Sequence, residues 1–395
     1  MSKILFITYE NPFSRNSGDS IYTCNILEAL TKLPYQLHMI YYDSNDKEPL
    51  VDNLNLKHFE KTEIVNFRKK NPLQFIFSAN PGMIENRISI KFSPKVNKML
   101  RDETYTYIII NHMKMLFTLP DILKDRKDAK LVYISHNVEY LLSKNLSIYN
   151  KSIFKKLIYW QDAIKTWRYE NKWIRHFDAV SAISEHDALY FKNAYKVKRI
   201  KVLRPVINLA NINGFHQKKK FNKLIIGGSF EWDPKKENLL MFLNSSNFHK
   251  LYEAGIELII AGKAHPNFVK KINNRYKGVY MTGAIPSLTP YYQKAGIAII
   301  PERLGGGFKL KVIEAALSKT AIIAIKGAIT PCNFQEGLHF IEKNSFEELI
   351  SEILRIQRNP KELDQMIGAA YKVADEEYTL DKLTDSLYQL INFSI

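Results

Sequence analysis

One stretch of this 395-residue chain decides its fold: Pro301-Glu302-Arg303-Leu304-Gly305-Gly306-Gly307-Phe308-Lys309-Leu310-Lys311-Val312-Ile313-Glu314-Ala315-Ala316-Leu317. An apolar strand pattern ends at Pro301, three glycines follow, and a helix-forming pattern begins near Phe308. A glycine-rich loop between a strand and a helix lets backbone amides approach an anion at the positive end of the helix. The stretch therefore predicts an α/β unit that holds a diphosphate.

Short apolar runs alternate with helical patterns on both sides of this stretch. Several runs are nearly continuous in Ile, Val and Tyr, which is typical of strands buried on both faces of a parallel sheet. The strands predicted in the first array are 3–8, 36–41, 62–67, 107–110, 131–135, 179–183 and 200–203, with a helix near 21–33. Those predicted in the second array are 224–227, 257–261, 279–282, 297–301, 321–325 and 339–341, with helices near 235–244, 286–295 and 308–319 and a helical tail from 346.

The segment 204–220 interrupts the alternation with Pro205, Gly214 and a run of three lysines, and we interpret it as an interdomain linker. Two consecutive strand–helix arrays imply two doubly wound domains. We therefore predict an α/β protein with two Rossmann-like domains, 1–205 and 206–378, facing across a cleft. The segment 379–395 is predicted to be a helix that packs back on the first domain.

Charge and cysteine content narrow the class of protein. Lys and Arg number 57 against 40 Asp and Glu, a net charge of +17 that favours anionic partners. Zinc-finger spacing, aromatic RNA-binding motifs and a basic tail are lacking in the sequence, so nucleic acid is not expected to be the partner. The two cysteines and the lack of an Asp-X-Asp sequence imply no metal site and no disulfide framework. With no signal peptide or membrane span in the sequence, we expect a cytoplasmic protein.

Ligands of doubly wound sheets bind beyond the carboxyl ends of the strands, which selects two candidates in the first domain. Gly18 lies in the loop after the first strand, where backbone amides at a helix start could receive an anion. The alternative is an ordinary turn capped by Ser17 or Asp19. His136 follows the strand 131–135 and could contact a sugar hydroxyl or transfer a proton. The alternative is a buried structural histidine beside a carboxylate.

The second domain offers charged candidates around the glycine-rich loop. Lys309 and Lys311 could both add positive charge to a diphosphate site, with one expected to face the site and the other solvent. Glu314 lies one to two turns into the helix, where its carboxylate could accept hydrogen bonds from both ribose hydroxyls. The alternative for Glu314 is a solvated or ion-paired helix residue.

The order of these segments resembles the glycosyltransferases of the GT-B fold, and most of all the bacterial family 4 group. The resemblance spans nearly the whole chain and depends on six segments in the expected order. They are Ser17-Gly18-Asp19, His136-Asn137-Val138-Glu139, the stretch Tyr169 to Asp187, Gly227 to Pro234, the pair Ile260-Ala261-Gly262 and Thr282-Gly283, and the loop and helix Gly305 to Ala315.

This resemblance implies roles for individual residues. The first domain would bind the acceptor, with His136 beside the transferred sugar and Gly18 beside the diphosphate. In the donor domain, Glu314 would bind the ribose, and the chain from Val279 to Ala284, including Gly283, would border the nucleobase. The backbone at Gly306, Gly307 and Phe308 would hold the donor's phosphate and sugar, and Lys309 would add charge.

Two positions depart from the family pattern. The family's paired-glutamate motif places its first glutamate eight residues before Glu314, where this chain has Gly306. An arginine is usual where this chain has Ser229, which leaves Lys235 or Lys236, with Arg303 as a further substitute, to offset the phosphate charge. The first departure leaves open which donor sugar is used and whether its anomeric configuration is retained.

The resemblance implies a hexosyltransferase-like, metal-independent enzyme that needs no cofactor and moves a sugar from a nucleotide-sugar donor, with a UDP-sugar favoured. The acceptor would be a hydroxyl of a glycan or lipid-linked acceptor in cell-surface polysaccharide synthesis, and the reaction is expected to be retaining. A sugar-nucleotide epimerase and a catalytically silent partner protein stay open as alternatives.

A basic segment with interleaved aromatic residues, 150–177, predicts peripheral contact with the anionic inner face of a membrane. A second candidate runs from Phe67 through three basic residues to the apolar stretch 73–77. The alternative is that the aromatic residues belong to the core and the lysines to a solvated face.

Overall fold

The computed structural model describes residues 2–14, 17–43, 58–67, 74–150, 152–207, 219–303, 307–329 and 332–392. The chain forms two compact units. Unit 1 comprises Met1–Val206 together with Leu380–Ile395, and unit 2 comprises Ile207–Thr379. The predicted linker overlaps this division, but its residues 208–218 lie outside the described ranges.

Unit 1 is built on a seven-stranded parallel sheet. The strand order is β3-β2-β1-β4-β5-β6-β7, so the direction of winding reverses between β1 and β4. The apolar runs explain this sheet, because β1, β4 and β5 are almost fully buried along their lengths. The strand bounds are β1 Lys3–Thr8, β2 Gln36–Asp43, β3 Phe59–Asn66, β4 Tyr107–Asn111, β5 Lys130–Ile134, β6 Ala179–Ala182 and β7 Ile200–Val202.

Helices connect these strands, as a parallel sheet requires. The first begins directly after the loop that follows β1, and a short 3-10 helix, Met113–Thr118, follows β4. The α-helices are α1 Gly18–Thr31, α2 Gln74–Phe77, α3 Gly82–Glu85, α4 Phe92–Asp102, α5 Leu119–Asp125, α6 Glu139–Tyr149, α7 Ile153–Trp173 and α8 Glu185–Ala194.

Unit 2 repeats this architecture with a six-stranded parallel sheet. The order is β10-β9-β8-β11-β12-β13, with the reversal between β8 and β11. The strands are β8 Lys220–Gly227, β9 Glu257–Ala261, β10 Val279–Met281, β11 Ala295–Ile300, β12 Ala321–Ile325 and β13 Ile341–Lys343. The helices are α9 Asp233–Leu243, α10 His249–Glu253, α11 Pro266–Arg275, α12 Thr289–Lys294, α13 Leu310–Leu317, α14 Phe346–Arg358 and α15 Asp364–Glu377.

The last helix, α16 Leu380–Ile391, belongs to unit 1. It packs along α1 and against β6 and β7, and its buried side chains are Leu383, Leu387, Leu390 and Ile391. At its edge, Lys32 forms an ion pair with Asp381, and Tyr35 donates a hydrogen bond to Asn392 at 3.1 Å. None of the helices described here combines the length and apolar character needed to cross a bilayer.

The two doubly wound α/β units confirm the predicted fold class, and several element bounds differ from the prediction. The strand predicted at 339–341 begins at Ile341 instead, because His339 lies in a turn where its Nδ1 accepts the amide of Gln335 at 2.8 Å. The helix predicted near 286–295 is the short α12, whose first turn contains Pro290. The helix predicted at 308–319 begins two residues later, at Leu310.

Candidate functional site

The winding reversal of unit 1 collects polar side chains at the carboxyl ends of β1, β4 and β5. Asp19 is in the first turn of α1, His112 follows β4, and His136 follows β5. Their ligand atoms all lie within 4.8 Å of one another. This edge is where doubly wound sheets bind ligands, so these three residues, hereafter the Asp–His cluster, form a candidate site.

Asp19 is the exposed member of the Asp–His cluster. Its side chain is 38% exposed, whereas those of His112 and His136 are 2% exposed. Tyr9 donates a hydrogen bond to its Oδ2 at 2.7 Å, and Lys114 Nζ lies 3.7 Å from the same oxygen. Burial opposes ionisation, but the imidazole of His136 and the ammonium of Lys114 hold the pKa of Asp19 well below its usual range. Asp19 is therefore a carboxylate at neutral pH.

The protonation of His136 follows from its partners. Asn111 donates its amide hydrogens to Thr8 and Thr23, both at 2.9 Å, so its Oδ1 must act as an acceptor. His136 Nε2 lies 2.9 Å from that oxygen and therefore carries a proton. The other ring nitrogen, Nδ1, is buried, has no hydrogen-bond partner among the described residues and lies 3.6 Å from Asp19 Oδ1.

The positions of the ring protons also bear on whether the Asp–His cluster could bind a metal ion. His112 Nδ1 accepts the backbone amide of Lys114 at 3.1 Å, so the neutral ring carries its proton on Nε2, the atom that faces Asp19 and Glu139. A protonated ring nitrogen has no lone pair for a metal. Burial, followed by the charge of Lys114, holds the pKa of His112 well below its usual value, which keeps the ring neutral. The cluster thus suits hydroxyl groups better than a metal ion.

Two further carboxyl groups, those of Glu139 and Glu170, stabilise this edge of the sheet. Glu170 accepts the backbone amides of Glu139 and Tyr140 at the start of α6, and Tyr195 donates its hydroxyl proton to Glu170 at 2.7 Å. Burial raises the pKa of Glu139 to about 7 and that of Glu170 to about 8. Glu170 thereby fixes the start of α6 and the loop that contains His136.

Gly18 is the first residue of α1. Ser17 caps the helix, since its hydroxyl accepts the amide of Ser20 at 3.1 Å while Ser20 Oγ accepts the amide of Ser17 at 3.0 Å. The turn capped by Ser17, which the sequence left open as an alternative, is therefore present. The structure adds Asp19, directly after Gly18, as the side chain that reaches His136.

The winding reversal of unit 2 lies between β8 and β11. Gly228 follows β8 with a φ of 144°, and Gly262 follows β9 with a φ of 134°. A Cβ atom on Gly262 would come within 1.9 Å of the carbonyl oxygen of Gly228, so only glycine allows the two loops to approach this closely. This approach fixes the loop after β8 beside the end of β9.

Helix α13 begins at this edge. Lys309 precedes its first residue and does not cap it with its side chain, which leaves the helix start suited to an anionic ligand. Gly307 has a φ of 82°, and the ring of Phe308 lies 5.8 Å from that of Tyr378 and packs against the core of the unit. The predicted site residue Gly306 lies outside the described residues.

Glu314 is partly buried in α13. Burial raises the pKa of Glu314 to about 7, and Lys311 opposes the rise. A half-ionised carboxylate at this position could accept two hydroxyl groups of a ribose. The carboxylate is partly buried and forms no ion pair among the described residues, which distinguishes it from the solvated or ion-paired glutamate that the sequence left open as an alternative.

Three positive groups surround one carboxylate at the end of β11. Glu302 forms an ion pair with Lys311, and their side chains are only 9% and 11% exposed. Although burial opposes ionisation, Lys311, Lys309 and Lys235 keep the pKa of Glu302 below its usual value. Burial lowers the pKa of Lys309. Both loop lysines are therefore turned inward, in contrast to the prediction that one of them faces solvent.

The other predicted cations have different partners. Arg303 donates a hydrogen bond from Nη2 to the carbonyl oxygen of Asn344 at 2.7 Å, and its guanidinium lies 4.8 Å from the ring centre of Phe346. Lys236 forms an ion pair with Asp233 at 3.0 Å within the first turn of α9. Gly283, with a φ of 75°, follows β10, two strands away from β8 in the sheet.

The sequence did not single out Asp19, His112 or Glu302 as site residues. Glu302 directly follows the Pro301 that ends the strand pattern, which is the signal that could have identified it. His112 follows β4 and adopts a φ of 75°, a strained backbone conformation that is common at functional sites and is not visible in the sequence.

Two family models match the chain. The model described as glycosyl transferases group 1 matches residues 222–359, and the model described as glycosyltransferase family 4 matches residues 17–211. Together the two matches take in most of the chain, one in each unit. No curated protein sequence matches the chain significantly.

Solved structures share the fold over the whole chain. A sucrose-phosphate synthase from Thermosynechococcus elongatus has a TM-score of 0.69 at 15% identity, with 99% of this chain and 98% of that chain covered. HepE from Anabaena, in complex with UDP and glucose, has a TM-score of 0.64 at 14% identity and coverages of 98% and 99%. The lipopolysaccharide outer core galactosyltransferase WaaB has a TM-score of 0.64 at 14% identity, with both chains fully covered.

Proposed function

We propose that this chain, which belongs to the group 1 glycosyltransferases, transfers a sugar from a nucleotide-sugar donor, with a UDP-sugar favoured, to a hydroxyl of a glycan or lipid-linked acceptor. One observation carries the donor assignment. Glu314, partly buried with a raised pKa, and the uncapped start of α13 lie together at the reversal of the unit 2 sheet, where a nucleoside diphosphate would place its ribose and its phosphates.

The similar structures support the proposed base and acceptor. HepE binds UDP and UDP-glucose, which supports a UDP-sugar for this chain. WaaB acts on the outer core of lipopolysaccharide, which supports a role in cell-surface polysaccharide synthesis. The family resemblance favours retention of the anomeric configuration, with the departing phosphate taking the proton of the acceptor hydroxyl. Determination of the product's anomeric configuration by NMR tests this assignment.

Calorimetry with UDP and GDP tests the donor site directly. We expect wild type to bind UDP more tightly than GDP, and Glu314→Ala to lose most of the affinity because the ribose hydroxyls lose their acceptor. Glu253→Ala, which removes an exposed glutamate of the same unit, should bind like wild type. If wild type binds neither nucleotide, the proposal fails and the chain is better explained as a catalytically silent partner of another transferase.

We also propose that unit 1 contacts an anionic bilayer surface through the start of α7. Four apolar side chains there are highly exposed: Ile153 is 78% exposed, Phe154 69%, Leu157 61% and Trp160 60%. Their spacing places them along one side of the helix over about 10 Å. An apolar patch of this size on a basic protein indicates a binding surface.

The neighbouring residues of this patch support a membrane as the partner. Phe77, 91% exposed, lies close to α7, because Lys165 donates hydrogen bonds to the carbonyl oxygens of Phe75 and Ile76. Exposed Lys155 adds positive charge beside Phe154. The alternative that the aromatic residues belong to the core holds for Trp173, which packs on the unit 1 core. In the second candidate segment, residues 68–73 lie outside the described ranges.

Vesicle flotation tests this surface. Wild type should float with vesicles that contain an anionic phospholipid and stay behind with purely zwitterionic vesicles. The double variant Phe154→Ser/Leu157→Ser should lose flotation, because burial of these side chains supplies the apolar part of the binding energy. Leu189→Ser, an equally exposed apolar site on α8, is the matched control. Equal flotation of the double variant and wild type would exclude this surface.

A further inference from the structure

The donor site described above lacks an arginine that the family pattern leads one to expect. Ser229 stands at that position, directly after Gly228, so another group must offset the charge of a departing diphosphate. The sequence suggested Lys235 or Lys236 as substitutes, with Arg303 as a further one, and Lys235 acts on the carboxylate of Glu302. The guanidinium of Arg303 bonds to the carbonyl of Asn344 instead, and Lys236 is paired with Asp233.

Lys311 lies where the missing arginine would be needed. Its Nζ lies 3.7 Å from the position that a Cβ atom on Gly228 would occupy, and it forms an ion pair with Glu302 at the end of β11. The ammonium group therefore lies between the ends of β8 and β11, at the reversal of the sheet. The lack of a side chain at Gly228 leaves space over this ammonium group.

Holding the positive charge of Lys311 at this position costs free energy of folding. Lys311 is in the first turn of α13, where the helix dipole disfavours a positive charge, and its side chain is only 11% exposed. Glu302 offsets one positive charge, but Lys309 also lies close enough to influence its carboxylate. Lys309 and Lys311 thus share one carboxylate, which suits an anionic ligand.

An unused atom beside Lys311 also indicates a ligand. Glu302 Oε1 pairs with Lys311, while Oε2 is buried and has no hydrogen-bond partner among the described residues. Buried carboxylate oxygens in folded proteins almost always have partners. A carboxylate oxygen only accepts hydrogen bonds, so a hydroxyl group of a bound molecule, and not its phosphates, would be the partner of Oε2.

We propose that Lys311, held in place by Glu302, is the cation that contacts the diphosphate of the donor, in place of the arginine missing at position 229. This assignment rests on the proposed function, because it assumes that unit 2 binds a nucleoside diphosphate. It gives Glu302 a positioning role and places Arg303 and Lys236 outside the contact with phosphate.

The comparison of UDP with uridine tests the assignment, since only UDP carries the diphosphate. Both ligands are measured well above the pKa of Glu314, because Lys311 lowers that pKa and its removal would otherwise weaken uridine binding as well. Under these conditions we expect Lys311→Met to weaken UDP binding at least about tenfold, because a charge-assisted hydrogen bond is lost, and to change uridine binding less than about twofold. The double variant Glu302→Gln/Lys311→Met avoids a buried unpaired carboxylate and should show the same selective loss. Arg303→Met and Lys236→Met are matched controls and should bind UDP nearly as tightly as wild type.

The possible outcomes separate this assignment from the proposed function. If wild type binds UDP but both Lys311 variants bind it equally well, or lose uridine in parallel, the assignment is wrong and the donor site stands. A selective loss of UDP in Arg303→Met or Lys236→Met would likewise overturn it. If wild type does not bind UDP at all, the proposed function and this assignment fail together.

Discussion

Glu314 is expected to reduce the stability of unit 2 at neutral and alkaline pH, and its replacement by glutamine should reveal this. Burial raises the pKa of Glu314 from its ordinary value of 4.5 to about 7 in the folded protein. As pH rises through this window, the unfolded chain releases the proton first, so the folded state loses stability relative to the unfolded state. Glutamine has nearly the same shape and does not ionise, so it removes this dependence on pH.

The magnitude follows from the two pKa values. The penalty for holding the ionisable group in the folded state is about 1 kcal/mol at pH 5 and about 3 kcal/mol at pH 8. The free energy of unfolding of Glu314→Gln, measured relative to wild type, should therefore increase by about 2 kcal/mol between the two pH values. Constant packing differences between the two side chains cancel in this comparison.

Urea unfolding of the full chain measures the effect. Because the chain has two units, the unfolding of unit 2 should be followed by hydrogen exchange of peptides from β11 and β12 rather than by a global signal. Glu253→Gln, at an exposed position of the same unit, should show no change with pH relative to wild type. A difference between Glu314→Gln and wild type that stays within about 0.5 kcal/mol at pH 5 and pH 8 would refute the reasoning.

Three further predictions concern single residues. Uridine affinity should fall about 20-fold between pH 7.5 and 5.5, because Glu314 must be ionised to accept the ribose hydroxyls, and calorimetry on Glu314→Gln should show a flat profile. Gly262→Ala should destabilise unit 2 by at least about 2 kcal/mol in denaturation experiments, whereas Gly255→Ala, with the same sign of φ but open surroundings, should cost only about 1 kcal/mol. Tyr195→Phe should destabilise unit 1 by about 1 to 2 kcal/mol, since the buried Glu170 loses a donor; if exposed Tyr149→Phe costs as much, this explanation fails.

The strands of both sheets were predictable from the sequence because their side chains are buried on both faces. The predicted bounds of β1, β9 and β12 agree with the structure, since each is a continuous apolar run between polar turns. Short edge strands such as β13 carry a weaker apolar signal, which is why the prediction missed its position by two residues.

The sequence predicted His136 and Glu314 beyond the ends of strands, where the structure has them, but it did not predict the directions of the site side chains. Arg303 directly follows the glutamate at the end of β11, yet its guanidinium is drawn toward Asn344, a partner 41 residues away in sequence. The hydrogen-bonding role of His136 depends on Asn111, a contact that forms only when β4 and β5 pair, and that of His112 depends on the amide of Lys114 in the turn that His112 begins. A single sequence contains no record of such partners.

Since α16 belongs to unit 1 but follows unit 2 in the chain, the two units cannot be completed in the order in which they are synthesised. While unit 2 emerges from the ribosome, the faces of α1, β6 and β7 that α16 will cover remain open to solvent. Unit 2 is continuous in sequence and can complete its folding first. Unit 1, which is synthesised first, is therefore the last to finish folding.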